Sequence, residues 1–212
     1  MKIDKNKPLP EHTKLDYDEC CALLILTELF PERYSDLKLA DKPDLQGDEI
    51  GVEVTIAVDR KQQEALNNWV KAYNCDDENK KQRYVERMSQ LGVKYTGGIQ
   101  SWPGRVPSFE TIQEAVDSKV KKLQKGNYGA FKEYELFILT DTWMTEDIIQ
   151  ESKDYFTQNN IFALFNKVYI LEKGCVLYMF NADGCNYIKI NVTEQSDRNV
   201  RARKMVELAE EQ

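Results

Sequence analysis

The segment DKPDLQGDEIGVEVTIAV, from Asp41 to Val58, constrains the fold most because its second half alternates residue types with the two-residue period of a β-strand. One face of the predicted strand carries Val52, Val54, Ile56 and Val58, and the other face carries Glu53, Thr55 and Ala57. Upstream, Gly47-Asp48-Glu49 supplies turn-forming residues. The segment therefore predicts a hairpin in which Asp44 lies beside Glu53.

A carboxylate pair on neighbouring strands needs a partner. Two such groups repel each other unless a cation lies between or beside them, and a hard divalent cation with oxygen ligands is the usual solution. Asp44 and Glu53 therefore predict a cation site. The same two residues also fit a solvated hairpin that carries ordinary surface acids, because acidic side chains are mostly exposed.

The composition predicts one globular domain. The chain has 212 residues, of which 42% are hydrophobic, so we expect a polar leader over residues 1–15 and a single domain over residues 16–212. The net charge of -7 argues against broad polyanion binding but leaves room for a local basic groove. No apolar run of about 18 residues occurs, which predicts a cytoplasmic protein with no membrane association.

The cysteines and the single histidine exclude several classes of site. The five cysteines are odd in number and form no CxxC pair, which favours reduced thiols over a disulfide framework or a zinc site. His12 lies in the polar leader near two prolines. Catalytic triads, cysteine-histidine nucleophiles and HExxH metal sites would all depend on this one residue, so we do not expect them.

The first predicted helix, from about Asp16 to Phe30, places an acidic residue on its apolar stripe. At about 100° per residue, Glu19 falls in line with Leu23, Leu26 and Phe30. A charged residue on a core-facing stripe indicates a partner inside the protein. Near a helix N-terminus the same residue also fits a solvated position that favours the helix dipole.

A later predicted helix, from Ser108 to about Gln124, places a lysine on its buried face. Projected on the helix, Lys119 lies between Ile112 and Val116, whereas Lys122 lies on the flank. A lysine is seldom buried without a partner. Lys119 therefore either meets carboxylates or extends along the helix to water.

The pattern Pro43-Asp44 followed by Glu53-Val54-Thr55 resembles the PD-(D/E)XK nuclease signature. The resemblance implies that Asp44 and Glu53 hold Mg²⁺ or Mn²⁺, with help from Glu19 and the Val54 carbonyl. Thr55 stands where the family usually has the lysine that helps to activate water. Members of the family are known to supply that lysine from a following helix, so Lys119 is the first candidate for this role and Lys122 the second.

Basic and aromatic residues between these two regions are candidates for contact with a phosphate backbone. Two charged helices are predicted over residues 59–73 and 78–91, followed by a long glycine- and proline-rich loop over residues 92–107. We predict that the substrate contacts come from Arg83, Arg87, Trp102 and Arg105. The acidic residues of the same helices also fit a plain solvated surface.

In the last part of the chain, strands are predicted over Phe162 to Leu171 and Tyr187 to Val192. The predicted order of elements gives an α/β fold, a mixed central sheet flanked by helices on both faces. This order is similar to the restriction-endonuclease-like fold. The resemblance implies a metal-dependent nuclease acting on phosphodiester bonds, with DNA expected before RNA and a homodimer as a possible assembly. The alternatives are a catalytically inactive scaffold that binds nucleic acid or protein because Thr55 replaces the lysine, and a core built around a structural glutamate-lysine pair.

Overall fold

The computed structural model describes residues 8–10, 12–96, 99–101, 108–126, 128–172 and 175–211. Its α-helices are α1 (Tyr17–Leu29), α2 (Pro31–Tyr34), α3 (Arg60–Tyr73), α4 (Glu78–Gln90), α5 (Phe109–Gln124), α6 (Glu146–Gln158) and α7 (Val192–Glu210). Its strands are β1 (Lys38–Leu39), β2 (Leu45–Gln46), β3 (Ile50–Ala57), β4 (Lys94–Thr96), β5 (Ile99–Ser101), β6 (Glu133–Thr140), β7 (Lys167–Glu172), β8 (Val176–Asn181) and β9 (Gly184–Lys189).

The main sheet has seven strands in the order β1-β2-β3-β6-β7-β8-β9. The central strands β3, β6 and β7 are parallel, and the outer pairs are antiparallel. The connections between parallel strands contain helices, as parallel pairing requires. The predicted α/β architecture with a mixed sheet flanked by helices is confirmed.

The two faces of the sheet carry different hydrophobic clusters because side chains alternate along each strand. On one face, α5 and α6 contribute Ile112, Val116 and Phe156, which pack with Leu136 and Ile138 of β6. The opposite face is covered by α1, and that cluster contains Ile25, Leu26, Val52 and Phe137. Each face thus has its own core, and Glu53 points to the α5 face because it alternates with Val52 and Val54.

Side-chain caps fix the helix starts at the residues where the sequence predicts them. Asp16 accepts hydrogen bonds from the backbone N–H groups of Asp18 and Glu19, and Ser108 accepts one from Glu110. Such caps satisfy N–H groups that a helix leaves without partners at its first turn. The cap positions therefore determine where Glu19 and Lys119 lie along their helices.

Three local predictions are wrong. The strand predicted from Phe162 begins at Lys167 instead, because Ile161–Ala163 form a 3₁₀ turn first. The stretch expected to be a loop after α4 contains the short β4–β5 hairpin. Ile56, which shares the apolar face of β3 with the buried Val52 and Val54, is itself 36% exposed.

The chain divides into two compact units. The smaller unit comprises residues 1–14 and 58–106, and in it α3 and α4 pack through Ala65, Met88 and Val93. The larger unit comprises residues 15–57 and 107–212 and contains the seven-stranded sheet. The leader over residues 1–15 and the single domain over residues 16–212 stay predictions. No helix in the described ranges is long and apolar enough to cross a membrane.

Candidate functional site

The β2–β3 hairpin brings the two predicted carboxylates together. Leu45 is paired with Val52, so Asp44 lies one step further along and opposite Glu53. Residues that face each other across an antiparallel pair share one face of the sheet. Asp44 is held in place by its Oδ2 atom, which accepts a hydrogen bond of 2.7 Å from the backbone N–H of Val54.

A glycine at the base of the hairpin allows the turn to approach the strand closely. A Cβ atom at Gly51 would lie 2.5 Å from Cγ of Pro43 and 3.0 Å from Cδ2 of Phe131. Real Cβ atoms do not come that close to other carbon atoms, so a larger residue at this position would displace the turn that carries Asp44. Gly51 therefore helps to position Asp44.

Lys119 reaches both carboxylates from α5. Its Nζ atom lies 2.9 Å from Asp44 Oδ2 and 2.5 Å from Glu53 Oε2. Lys119 is only 6% exposed and Glu53 only 2% exposed. Burial by itself lowers the pKa of Lys119, but the hydrogen bonds and negative charges of Glu53 and Asp44 raise it above its ordinary value. Lys119 therefore stays protonated at neutral pH.

The group of three carries surplus negative charge, since one ammonium faces two carboxylates. The Asp44 side chain is 20% exposed, so the group opens to solvent on that side. Lys119 Nζ and the Val54 N–H both donate to Oδ2 of Asp44, and neither of these two contacts involves Oδ1. One buried cationic centre is therefore combined with a carboxylate that a ligand can approach.

Glu19 adds a third acidic group at the edge of this cluster. It is half-buried on α1, and burial is the largest effect that raises its pKa, to about 7. The negative charge of Asp44 adds to that shift, followed by Asp16, while the positive charge of Lys119 opposes it. The effects of both Asp44 and Lys119 on the pKa of Glu19 indicate that Glu19 belongs to the same electrostatic environment.

The remaining predicted residues are distributed as follows. Thr55 is half-buried on the strand face of Glu53, and Lys122 is exposed, so Lys119 is the lysine that meets the carboxylates. Arg83 and Arg87 are exposed on α4, and Arg87 pairs with Glu64 of α3 at 2.6 Å. The other two predicted substrate contacts, Trp102 and Arg105, lie outside the described residues.

The donor set suits a small, hard cation with few protein ligands. Within the described ranges, no three side chains of the His, Cys, Asp and Glu types are grouped to hold a metal. Mg²⁺ is usually held by one or two carboxylates, with water and phosphate oxygens completing its octahedron. Asp44 and Glu53 match that smaller set. The ion would bring positive charge to a group that already has surplus negative charge.

Sequence periodicity does not identify Tyr128, which lies just after α5 and contacts the site. Burial raises the pKa of its phenol above the ordinary value, and the charge of Glu53 and a hydrogen bond to it act in the same direction. Tyr128 is half-buried, and its ring makes an edge contact with Tyr134. It lies in an irregular segment, where neither helical nor strand periodicity indicates which way a side chain points.

Comparisons with known proteins returned nothing: no family model, no curated protein and no solved structure matches this chain.

Proposed function

We propose that this chain is a metal-dependent nuclease of the restriction-endonuclease-like type, which hydrolyses phosphodiester bonds in nucleic acid, in DNA before RNA. The observation that carries the proposal is the position of Lys119. Its ammonium lies within 2.9 Å of Asp44 and 2.5 Å of Glu53, although it comes from a helix and not from the strand position of Thr55. This arrangement is the one expected if the lysine has moved from the strand to a helix.

Asp44 and Glu53 are the residues that would hold Mg²⁺ or Mn²⁺, with Glu19 at the edge of the site. A bound divalent cation supplies Lewis acidity toward the phosphate and makes hydroxide available near neutral pH. The protein side of this chemistry is positioning. Glu53 lies on β3 and is almost completely buried, and Asp44 directly precedes β2 and is fixed by the Val54 N–H.

Lys119 would act as a hydrogen-bond donor and not as a base. Its raised pKa keeps the ammonium protonated, so it can orient a water molecule and offset the negative charge that develops on the phosphate oxygens. Thr55 offers a hydroxyl on the same strand face. That hydroxyl can hold a water molecule but cannot replace the positive charge of a lysine.

The proposal is tested by incubating the purified protein with plasmid DNA, single-stranded DNA and RNA in Mg²⁺, in Mn²⁺ and in chelator. We expect cleavage that depends on the cation. Asp44→Asn and Glu53→Gln should abolish turnover because both carboxylates act through the ion. Lys119→Met should lower the rate by about 100-fold or more, the usual effect of removing one electrostatic donor from an active site.

Lys122→Met is the matched control because it removes an exposed lysine from the same helix, and it should cleave at the wild-type rate. Thr55→Lys should add little activity if Lys119 already does this work. Restored cleavage in Thr55→Lys, from a wild type without activity, would instead identify an inactive scaffold. No cleavage of any substrate together with no Mn²⁺ binding would contradict the nuclease proposal and favour an interaction protein.

A further inference from the structure

A second cleft lies on the other side of the sheet from Glu53. It has a volume of about 560 Å³ and is lined by the end of α1 and by α2 on one side and by β7, β8 and β9 on the other. Its floor includes Tyr169 and Met179, which belong to the hydrophobic cluster of the α1 face. This volume is within the usual range of small-molecule sites, about 300–1,000 Å³.

The walls of this α1–β7 cleft contain two aromatic rings and a thioether. Tyr169 is only 2% exposed, so Phe30 and Met179 supply most of the surface that a ligand can reach. Phe30 and Tyr169 have ring centroids 6.1 Å apart at 47°, and the Met179 thioether lies beside them in the lining. The Tyr169 hydroxyl is 2.5 Å from the hydroxyl of Tyr34, which fixes the orientation of its ring. Aromatic rings and thioethers are the surfaces on which flat heterocycles stack.

The polar end of the cleft is built around a fixed guanidinium. Arg33 donates through Nη2 to Glu133 and, at 2.6 Å, to Glu135, and through Nε at 3.1 Å to the Tyr34 hydroxyl. Glu135 is completely buried, so its charge is compensated by Arg33. These contacts hold the wall rigid, but they also leave Arg33 with little positive charge to offer a ligand.

Lys167 supplies the uncommitted positive charge of the cleft. It lies on the floor at the start of β7, half-buried, and it forms no ion pair with any other described residue. Glu32 in the lining carries one opposite charge. Glu133 and Glu135 also outnumber Arg33, so the cleft carries no surplus positive charge. Lys167 can contact one phosphate, whereas the surrounding carboxylates disfavour a polyphosphate.

Two carboxamides complete the lining. The Asn181 Oδ1 atom accepts hydrogen bonds from the N–H groups of Asp183 and Gly184, so its amide is fixed by the turn between β8 and β9. Asn186 is exposed on β9 and also lines the cleft. Asn186 presents a donor and an acceptor side by side, which matches the edge of a nucleobase, and Asn181 offers the donor of its NH2 group.

We propose that the α1–β7 cleft binds a nucleobase together with one adjoining phosphate. The base would stack on the aromatic and thioether walls and form hydrogen bonds with the carboxamides, and the phosphate would contact Lys167. A free mononucleotide and a nucleotide within a single strand share this chemistry. The proposal does not depend on phosphodiester hydrolysis at Asp44 and Glu53, because the two sites use different residues on opposite faces of the sheet.

The test is calorimetric titration of the whole protein in chelator, which excludes metal-dependent binding. The ligands are the four nucleoside monophosphates, dinucleoside monophosphates, the corresponding nucleosides, nucleoside triphosphates and inorganic phosphate. We expect saturable binding of monophosphates or dinucleoside monophosphates, about tenfold weaker binding of nucleosides, which lack the contact with Lys167, and weaker binding of triphosphates.

Two variants test the assignment of the site. Lys167→Gln should weaken binding about tenfold, whereas Lys189→Gln, which removes an exposed lysine from β9 outside the lining, should not change it. Asn186→Ala, an exposed substitution with little effect expected on folding, should weaken binding of the base severalfold. Glu53→Gln should bind normally, which separates this proposal from the nuclease proposal.

The results that would overturn the proposal are clear. They are no saturable binding of any nucleotide at millimolar concentration, equal affinity for inorganic phosphate and nucleotides, or identical binding by the Lys167→Gln and Lys189→Gln proteins. Tighter binding of dinucleoside monophosphates than of mononucleotides would support the proposal with a strand as the source of the ligand. The reverse order would support it with a free nucleotide as the ligand.

Discussion

Removing the buried ammonium of Lys119 should destabilise the protein strongly. In Lys119→Met, Glu53 remains 2% exposed but has lost its 2.5 Å contact, and Asp44 has lost its 2.9 Å contact. Two hydrogen bonds to charged groups contribute about 1.5–3 kcal/mol each. Breaking a buried ion pair on one side typically costs about 3–5 kcal/mol. We therefore expect the free energy of unfolding to fall by about 3–5 kcal/mol.

A double-mutant cycle separates this interaction from the loss of packing. In Glu53→Gln/Lys119→Met, no carboxylate at position 53 is left uncompensated, and Asp44 keeps its hydrogen bond from the Val54 N–H. The double variant should therefore be more stable than Lys119→Met alone. The coupling energy between Lys119 and Glu53 should be about 1.5–3 kcal/mol, as for contacting residues in one network.

The measurement is urea unfolding followed by circular dichroism, with the midpoint compared at a constant slope. Lys122→Met is the control on the same helix and should change stability by no more than about 0.5 kcal/mol, because Lys122 is exposed. A Lys119→Met protein as stable as the wild type, or single and double variants with additive effects, would refute the reasoning. The ammonium would then not be engaged with Glu53 in the folded protein.

Two further predictions concern Glu19 and α4. The folded pKa of Glu19 is raised from 4.5 to about 7, so its contribution to stability is full below pH 4.5 and lost as the pH rises through 7. Because Glu19 is half-exposed, this contribution is about 1–2 kcal/mol. The urea midpoint should therefore fall between acidic and alkaline pH in the wild type and in the control Glu151→Gln. This part of the pH dependence should be lost in Glu19→Gln. If α4 contacts nucleic acid, Arg83→Gln should weaken binding in chelator and reduce the salt slope by about one. Arg87→Gln should weaken binding less because Arg87 already pairs with Glu64. Salt slopes that are unchanged in both variants, measured by fluorescence anisotropy, would show that neither arginine contacts the nucleic acid.

The meeting of Asp44, Glu53 and Lys119 could be predicted because each position follows from a local period. Strand alternation gives Glu53 its face, the turn residues place Asp44 opposite, and the helical period places Lys119 among Ile112 and Val116. A buried lysine needs a carboxylate partner. These local patterns predict that the three side chains meet, although they do not predict the distance of 2.5 Å between Lys119 Nζ and Glu53 Oε2.

The Arg33 cluster could not be predicted in the same way. Strand alternation in β6 places Glu133, Glu135 and Phe137 on one face, which indicates an acidic group near a core. Its partner, however, is 102 residues away in the chain at Arg33. No local period connects the two residues, because their contact depends on how α2 packs on the sheet. Long-range partners of this kind need coordinates.

The predicted strand boundaries are wrong where an apolar run continues past the end of an element. The apolar run from Phe162 predicts a strand, but Asn160 adopts a left-handed conformation and the 3₁₀ turn Ile161–Ala163 follows. In the same way, the sequence predicts a strand over Tyr187 to Val192, whereas β9 ends at Lys189 and α7 starts at Val192, capped by Asn191. An apolar residue alone does not say which element it belongs to.

The charge balance around Lys119 is the feature that favours the proposed metal site over a structural ion pair. A pair that serves only the fold is best sealed and neutral, since burying net charge is costly. Here Lys119 faces two carboxylates, Asp44 remains 20% exposed, and Glu19 adds a third acid whose pKa is raised toward neutrality by burial and by Asp44. This surplus of negative charge destabilises the fold but would favour binding of a divalent cation. The same surplus also explains why a lysine is needed: the Lys119 ammonium offsets the repulsion between the two carboxylates, which would otherwise oppose their close approach.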